Sequence, residues 1–210
     1  MTKRAYFIIA TDTGVGKTFI ACGLAKAFRS MGLSVGVMKP FESGCGVRNG
    51  ALVPADALAL IKAASSTDPL DLVNPYRFRA ALAPNIAARL ERKKINLEKI
   101  KKAFKMIADG YDVTLVEGAG GILSPITNAM SNADLALLMG LPVIIVVPSR
   151  LGAINQALLA IEAARTRGLE VSAVVLNRLP QMGHRGSDNS LRYNRGEIKH
   201  IGGVEVVEVG

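Results

Sequence analysis

The segment Ala10–Thr18, with the sequence ATDTGVGKT, has the residue types and spacing that bind phosphate groups. In such a turn, successive backbone N–H groups form a concave site for anions, and the start of the following helix adds partial positive charge. A lysine reaches the outer phosphates, and a threonine hydroxyl binds the magnesium ion that accompanies them. Thr11 stands where the strict pattern has glycine, but an apolar strand before the segment and a helix after it favour a phosphate loop. The residues expected around the phosphates are Gly14, Val15, Gly16, Lys17 and Thr18.

Two charged residues stand where predicted strands end, and parallel sheets bind their ligands at that edge. Lys39 leaves a short apolar strand and enters a glycine-containing loop. Its ammonium is expected at the edge, although a lysine can also simply terminate a strand. Glu117 ends another apolar strand and precedes a Gly-Ala-Gly-Gly run, whose small residues let the backbone approach a ligand. A carboxylate there either binds magnesium, as in nucleotide-binding sheets, or caps the next turn.

Three further positions allow more than one interpretation. Asp56 lies in the first turn of a predicted helix, where it either complements the helix dipole or contributes to the site. Asn177 follows a predicted strand and either forms a turn or hydrogen-bonds a base. The segment Arg150–Asn155 opens a helix after a strand, so its free N–H groups are candidates to hold a carboxylate. His184 and His200 have no evident partner in the sequence, and no role is assigned to them.

Apolar runs rich in β-branched residues alternate with helical patterns along the chain. Strands are predicted at Ala5–Ala10, Ser34–Met38, Val113–Glu117, Val143–Val147, Val171–Leu176 and Val204–Val209. Helices are predicted at Thr18–Ser30, Ala55–Ala64, Leu97–Asp109, Asn132–Met139 and Ala153–Arg167, and within Asp188–His200. This alternation predicts an α/β fold, a single doubly wound and mostly parallel sheet with helices on both faces. The proline-containing segment Thr67–Pro84 is predicted to be irregular, and Gln181–Asn189 to be a polar loop.

The composition is that of an ordinary globular protein. The 210 residues are 50% hydrophobic and 20% charged, which suits one domain over residues 1–210 with a sizeable core. No apolar run approaches the ~20 residues of a membrane span. The start of the chain does not look like a secretory signal, because cleavage would remove the phosphate loop. Cys22 and Cys45 form no zinc or disulfide pattern, so a reducing cytoplasm is the expected compartment.

The formal net charge of +9 raises the question of an anionic partner. Much of this charge lies between Arg89 and Lys105, where apolar residues recur at helical spacing with lysines between them. The pattern favours the solvated face of a surface helix. Nucleic acid is the less favoured partner, because no aromatic residues interleave with the basic ones. A basic surface is also compatible with an anionic small-molecule substrate.

Taken together, these motifs resemble one family of the P-loop NTPase superfamily, the dethiobiotin synthetases of biotin biosynthesis. The resemblance covers most of residues 1–180, and the order and spacing of separate motifs make it more specific than a phosphate loop alone. The family's phosphate loop also carries threonine where the strict pattern has glycine. The matching motifs are Thr11–Thr18, Lys39-Pro40 with Ser43-Gly44, Asp56-Ala57-Leu58, Asn74-Pro75-Tyr76, Val116–Gly121, Leu151–Asn155 and Leu176-Asn177.

The resemblance implies an ATP- and Mg²⁺-dependent ring closure. In this family, carbon dioxide adds to one amine of 7,8-diaminopelargonate to give a carbamate. ATP phosphorylates the carbamate oxygen, and the second amine attacks the resulting carbamic-phosphoric anhydride to close a cyclic urea. The physical task is to hold an anionic carbamate in line with the γ-phosphate and to neutralise the charge that develops between them.

The resemblance also implies a role for each matching residue. Lys17 would contact the β- and γ-phosphates, and Lys39 would steady the carbamate and the transferring phosphoryl group; with Thr11 they form the implied catalytic set. Magnesium would be bound by Thr18, Asp56 and Glu117. The substrate head would contact Thr11, Ser43 and the backbone of Gly118. The nucleotide would contact the phosphate loop together with Gly118, Ala119, Gly120, Asn177 and Arg178.

Members of this family act as homodimers, so the resemblance implies a site shared between subunits. The distal carboxylate of the substrate would meet the helix start of the other subunit, at Gly152, Ala153, Ile154 and Asn155. Nucleic acid and membranes would not be partners.

An ATPase switch of the partitioning or septum-positioning type is the alternative. Such proteins share the predicted sheet and phosphate loop, and binding of DNA or membrane would suit the +9 charge. They usually carry a second lysine five residues before the phosphate-loop lysine, and Asp12 occupies that place here. A glutamine-dependent amidating synthetase is disfavoured, because the chain is too short for a glutaminase module.

Overall fold

The strands of the computed structural model, which describes residues 4–178 and 188–210, form one large sheet and two small ones. The strands are β1 Arg4–Ala10, β2 Val35–Met38, β3 Phe41–Glu42, β4 Gly46–Arg48, β5 Ala51–Val53, β6 Tyr76–Arg77, β7 Val113–Gly121, β8 Val143–Pro148, β9 Val171–Asn177 and β10 Val206–Val209. The large sheet has the order β10-β9-β8-β1-β7-β2, and all its neighbouring pairs are parallel. The short strands β3 and β6 pair in parallel, and β4 and β5 pair antiparallel.

Helices cover both faces of the large sheet. They are α1 Lys17–Ser30, α2 Ala55–Ala64, α3 Leu70–Val73, α4 Pro84–Leu90, α5 Leu97–Gly110, α6 Asn132–Met139, α7 Ala153–Arg165 and α8 Leu191–Gly202. Phe7 and Ile9 of β1 belong to a core cluster shared with α4 to α8. Ile8 and Ala10 point to the opposite cluster, which they share with α1 and α2. The doubly wound, mostly parallel α/β architecture is therefore confirmed.

The prediction of the main elements is confirmed, with ends that differ by a few residues. The exception is the end of β7, which extends from the predicted Glu117 to Gly121 because Gly121 pairs with Ala10 across a register shift. On α5, Ile100, Ala103 and Ile107 are buried while lysines lie on the exposed side, so the solvated-face interpretation of the basic segment is also confirmed.

The prediction that Thr67–Pro84 is wholly irregular is wrong. This segment contains α3 and β6 and ends at the first residue of α4. Helix α3 has only four residues, and strand β6 has only two. Strand β6 also depends on a distant partner, because its Tyr76 pairs with Phe41 of β3, 35 residues earlier in the chain. Pairing between distant dipeptides leaves no periodic pattern in the local sequence.

Part of the predicted polar loop Gln181–Asn189 lies outside the described residues, as does His184. The predicted C-terminal helix is present as α8 and ends two residues beyond His200. Within residues 4–178 and 188–210, no helix combines the length and apolar character needed to cross a bilayer.

The sheet order brings the phosphate loop, Lys39 and Glu117 together. Strand β1 lies between β7 and β8, and β2 lies on the far side of β7. The phosphate loop follows β1, Lys39 follows β2, and Glu117 lies in β7, so all three reach the same carboxyl edge of neighbouring parallel strands.

Gly36 in β2 is a position where the sheet and α5 approach closely. A Cβ atom there would lie 2.6 Å from Cγ2 of Ile107 and 2.7 Å from Cδ2 of Tyr111. We predict that Gly36→Ala lowers the free energy of unfolding by about 1–3 kcal/mol, because overpacking forces neighbours off their rotamers. Urea unfolding measures the change.

The matched control is Gly23→Ala, on the exposed side of α1, where an added Cβ meets nothing within 4 Å. It should be neutral or stabilise the protein by up to about 1 kcal/mol, since alanine favours a helix over glycine. Equal stability of the Gly36→Ala protein and wild type would contradict the packing described for β2.

Candidate functional site

A cavity of about 550 Å³ opens at the carboxyl edge of β1, β7 and β2. Four segments and two single residues surround it: the phosphate loop, the loop after β2, the turn before α4, the end of β7, Asp56 and Ser124. The lining residues are Thr13, Gly14, Gly16, Lys17, Thr18, Lys39, Phe41, Glu42, Ser43, Asp56, Ala81, Leu82, Ala83, Pro84, Glu117, Ala119, Gly120 and Ser124.

The phosphate loop has the backbone geometry that its glycines allow. Gly14 and Gly16 adopt φ values of 75° and 92°, in the left-handed region that favours glycine. Gly16 is the residue before α1, and among the described residues no side chain caps that helix. The first N–H groups of α1 are therefore suited to an anion. Lys17 is 7% exposed, and its Nζ lies 3.4 Å from the carbonyl oxygen of Asp12.

Lys39 is the centre of a buried charge cluster. Its Nζ lies 3.1 Å from Oδ2 of Asp56, contacts Oε1 of Glu117, and donates to the carbonyl of Gly118 at 3.3 Å. Thr18 Oγ1 also donates to Oε1 of Glu117, at 2.8 Å. The three side chains predicted to bind magnesium therefore converge, with the Lys39 ammonium between the two carboxylates.

The pKa values of the two lysines of the cavity are shifted in opposite directions. Burial lowers the pKa of Lys39, but the carboxylates of Glu117 and Asp56 outweigh that effect, so the pKa lies above its ordinary value. Burial, followed by the nearby charge of Lys39, lowers the pKa of Lys17 from 10.5 to about 8. Lys39 is therefore protonated near neutral pH, whereas Lys17 loses its proton near pH 8.

The backbone of Lys39 is held by the segment that follows α3. Its N–H donates to the carbonyl of Val73 at 2.8 Å, and its carbonyl accepts from Nδ2 of the fully buried Asn74 at 2.6 Å. These bonds give the Asn74-Pro75-Tyr76 motif a physical role, because they fix where the lysine leaves β2.

Asn132 and Ser124 organise the glycine run at the end of β7, and no motif in the sequence indicates either of them. Oδ1 of Asn132 accepts from the N–H of Ala119 at 3.2 Å, and its Nδ2 donates to the carbonyls of Ala119 and Gly121. Ser124 Oγ accepts from the N–H of Gly121 at 2.8 Å. Both residues lie after the strand and point back to it, so no local pattern marks them.

Glu42 is a further residue of the cavity that the sequence reasoning missed. Its carboxylate is 5% exposed and accepts from the N–H groups of Asp56 and Ala57 at the start of α2. Burial raises the pKa of this carboxyl, although the two backbone hydrogen bonds oppose the shift.

Two predicted substrate contacts are buried hydroxyl groups. Ser43 lines the cavity, and Thr11 lies just before the phosphate loop, where its N–H donates to the carbonyl of Val146 at 3.1 Å. Within the described part of the chain, neither Thr11 Oγ1 nor Ser43 Oγ has a hydrogen-bond partner. Buried hydroxyls normally have one, so both are suited to a ligand.

Some predicted site residues do not line this cavity. Asn177 is buried at the end of β9 and donates from Nδ2 to the carbonyl of Val15 at 2.9 Å, which ties the strand to the phosphate loop. Arg178 pairs with Glu208 on β10 at 3.4 Å. Residues Gly152, Ala153, Ile154 and Asn155 form the start of α7, and the preceding N–H of Leu151 donates to Oδ2 of Asp188 at 2.9 Å.

The donor set fits magnesium that arrives together with a phosphate. The described residues contain no cluster of three or more His, Cys, Asp and Glu side chains that would form a closed metal site. Mg²⁺ usually keeps several waters and binds one or two carboxylates plus substrate phosphates. Glu117 Oε2 is buried and lacks a hydrogen-bond partner among the described residues, so it is available as a ligand.

Comparison with known proteins places the chain in a family. A family model described as an AAA domain matches residues 4–209. An ATP-dependent dethiobiotin synthetase of Anaeromyxobacter dehalogenans is 41% identical over 94% of this chain and 85% of its own length. A protein of the same name from Methanocaldococcus jannaschii is 34% identical over 97% and 92%. The chain belongs to the dethiobiotin synthetase family. The resemblance inferred from the motifs is confirmed.

Solved structures support the fold of this dethiobiotin synthetase family member. The cell division protein complex MinC:MinD of Aquifex aeolicus matches with a TM-score of 0.56 and 22% identity, over 97% of this chain and 79% of that chain. A ParA family ATPase of Chlorobium tepidum matches with a TM-score of 0.56 and 18% identity, over 99% and 84%. Likeness at this identity concerns the fold, so the ATPase-switch alternative is supported by the fold alone.

We predict that Lys39→Met lowers the free energy of unfolding by about 3–5 kcal/mol, because it leaves the buried Glu117 carboxylate without its cation. The double variant Lys39→Met/Glu117→Gln should regain most of the loss, since the second change removes the unbalanced charge. Urea unfolding of the single and double variants is the measurement. A single variant as stable as wild type would show that the cluster is not balanced by Lys39.

Proposed function

We propose that this chain, an ATP-dependent ligase of the dethiobiotin synthetase family, closes the cyclic urea of dethiobiotin from 7,8-diaminopelargonate and CO₂ with the use of ATP and Mg²⁺. The observation that carries the proposal is the convergence of Lys17, Lys39, Thr18, Asp56 and Glu117 on one cavity. We further propose that the chain is one domain, acts in the cytoplasm and functions as a homodimer.

The reaction has three bond-forming steps. The lone pair of one substrate amine attacks the carbon of CO₂, and loss of a proton leaves an anionic carbamate. A carbamate oxygen then attacks the γ-phosphorus of ATP, the bond to ADP breaks, and a carbamic-phosphoric anhydride forms. The second amine attacks the carbonyl carbon of that anhydride, inorganic phosphate leaves, and the cyclic urea closes with loss of a proton.

The main demand on the protein is electrostatic, because two anions must meet in the second step. Lys17, at the start of α1, contacts the β- and γ-phosphates together with the N–H groups of the phosphate loop. Lys39 contacts the carbamate and the transferring phosphoryl oxygens. In the structure described above, Glu117 and Asp56 balance the charge of the Lys39 ammonium, and the bound anions would replace part of that balance.

Thr18, Asp56 and Glu117 would hold the magnesium ion. When bound, the ion would offset the negative charge of the phosphates. The buried oxygen Oε2 of Glu117 supports this assignment, because it has no other partner in the described chain.

The substrate head lies against Thr11, Ser43 and the backbone of Gly118. The hydroxyls of Thr11 and Ser43, which have no hydrogen-bond partner among the described residues, support this placement. The distal carboxylate reaches the α7 start of the other subunit, at Gly152, Ala153, Ile154 and Asn155. The partial positive charge of the helix start favours an anion there, although the N–H of Ala153 already donates to the carbonyl of Arg150 at 3.0 Å. The nucleotide is held by Gly14, Val15, Gly16, Ala119 and Gly120, with Asn177 and Arg178 beside the adenine.

The direct test is incubation of the protein with ATP, Mg²⁺, bicarbonate and 7,8-diaminopelargonate, with detection of the cyclic urea by mass spectrometry. We predict ATP-dependent formation of the urea by wild type. Lys39→Ala should lose turnover by at least about 10³-fold, because it removes charge stabilisation at the transferring group.

ATP binding by Lys39→Ala, measured by titration calorimetry, should stay within about fivefold of wild type. Turnover retained by this variant would remove Lys39 from its role. ATPase activity that requires DNA or lipid and ignores the diamine would instead support the ATPase-switch alternative.

We predict that ATP affinity falls as the pH rises above about 8, the pKa of Lys17 in the free protein. Below that pH the lysine already carries its proton. Above it, the free protein holds a neutral amine, and phosphate binding must take up a proton, at a cost of up to about tenfold in affinity per pH unit. Calorimetric titrations between pH 7 and about 9.5 measure the profile.

The matched control is Lys17→Arg, whose guanidinium stays charged throughout this range. Its affinity is expected to be weaker but independent of pH. The same slope in both proteins, or no slope in wild type, would contradict the contact between Lys17 and the phosphates.

A further inference from the structure

Glu42 occupies an unusual place for a carboxylate, because it is buried on a two-residue strand. Its backbone is fixed by β6 and by the residue that follows it: Glu42 pairs with Arg77 in the β3–β6 ladder, and the carbonyl of Glu42 accepts from the N–H of Phe78 at 2.8 Å. The side chain is 5% exposed and lines the same cavity as Lys39 and Asp56.

Helix α2 begins without a cap of its own. The residue before it is Pro54, which has no side-chain donor or acceptor, and no local side chain bonds the first N–H groups. Glu42 supplies the missing acceptors from 14 and 15 residues away: Oε1 accepts from the N–H of Asp56 at 3.0 Å, and Oε2 from that of Ala57 at 2.9 Å. Both oxygens of the carboxylate are thus directed at one helix start, whose partial positive charge they also balance.

The capped residue is itself part of the charge cluster. The N–H of Asp56 donates to Glu42, and Oδ2 of the Asp56 side chain lies 3.1 Å from Nζ of Lys39. Asp56 is partly exposed, with 42% of its side chain accessible, so packing alone does not fix its orientation. The hydrogen bonds from Glu42 fix the backbone from which this carboxylate extends.

We propose that Glu42 is a positioning residue, which sets the start of α2 and thereby places the Asp56 carboxylate for the metal that accompanies the nucleotide. The inference rests on the proposed role of Asp56 as a magnesium ligand. Residues that orient a metal ligand in this way affect metal affinity by about 10- to 100-fold when they are replaced.

The test compares the affinity of the protein for the imidodiphosphate analogue of ATP in Mg²⁺ and in EDTA, by titration calorimetry. The ratio of the two affinities measures what the metal adds. We expect Glu42→Ala to lower this ratio by about tenfold or more and to leave the affinity in EDTA within about twofold of wild type. Glu42→Gln keeps one acceptor oxygen and the side-chain volume, so its affinity ratio should fall between those of wild type and Glu42→Ala.

Two control variants separate positioning from other effects. Ala59→Gly weakens the same helix at an exposed position away from its start, and should lower the melting temperature without changing the ratio. Asp56→Asn removes the proposed ligand itself and should lower the ratio at least as much as Glu42→Ala does.

Each other outcome overturns the inference in a distinguishable way. An unchanged ratio in Glu42→Ala, with a lowered ratio in Asp56→Asn, refutes the positioning role and leaves the proposed function intact. An unchanged ratio in Asp56→Asn refutes the metal role of Asp56 and the inference with it. A loss in Ala59→Gly equal to that in Glu42→Ala would show that helix stability alone is responsible. An equal loss in Mg²⁺ and in EDTA would show that Glu42 acts on the nucleotide pocket and not on the metal.

Discussion

The structure depends on one electrostatic constraint, which is that the carboxylates of Glu117 and Asp56 lie beside a single ammonium, that of Lys39. Glu117 and Lys39 are almost fully buried, at 1% and 3% exposure. Buried charges are costly unless they are paired and hydrogen-bonded, and replacing such a pair by apolar residues is often neutral or stabilising. A cluster of this kind is therefore better explained by what it does for a ligand than by its contribution to stability.

The surrounding elements can be understood as supports for that cluster. Strand β2 ends where Asn74 and Val73 hold the backbone of Lys39, and Thr18 at the start of α1 donates to Glu117. Glu42 fixes the start of α2, which carries Asp56. The opposite pKa shifts of Lys39 and Lys17 follow from the same arrangement: the carboxylates stabilise the charge of the first lysine, whereas the second is desolvated next to that charge. This arrangement of charges supports the proposed phosphoryl transfer to an anionic acceptor.

Much of this was predictable from the sequence, and the reasons differ by element. The strands of the large sheet are covered on both faces, so each leaves a continuous apolar run, and the phosphate loop has a local spacing that few other structures require. Lys39 and Asp56 are ambiguous alone, since a strand-ending lysine and an acidic first turn are common, and only the resemblance to the family predicts their roles.

Other features left no local signal. Glu42 and Asn132 act through bonds to backbone groups of segments more than ten residues away, and β3 and β6 are dipeptides that become strands by pairing with each other. Such contacts are set by the tertiary structure, so composition and periodicity do not reveal them. The fold alone is equally insufficient for function, since a MinC:MinD cell division complex and a ParA family ATPase have a similar fold at about one-fifth identity.

The most direct measurement of the central claim is a crystal structure with Mg²⁺ and the imidodiphosphate analogue of ATP. We predict one metal ion bound by Thr18, Asp56 and Glu117, directly at about 2.1 Å or through one water, and Nζ of Lys39 within hydrogen-bond distance of the γ-phosphate. A metal ion held away from Asp56 and Glu117, or a Lys39 side chain that points out of the cavity while the nucleotide is bound, would contradict it.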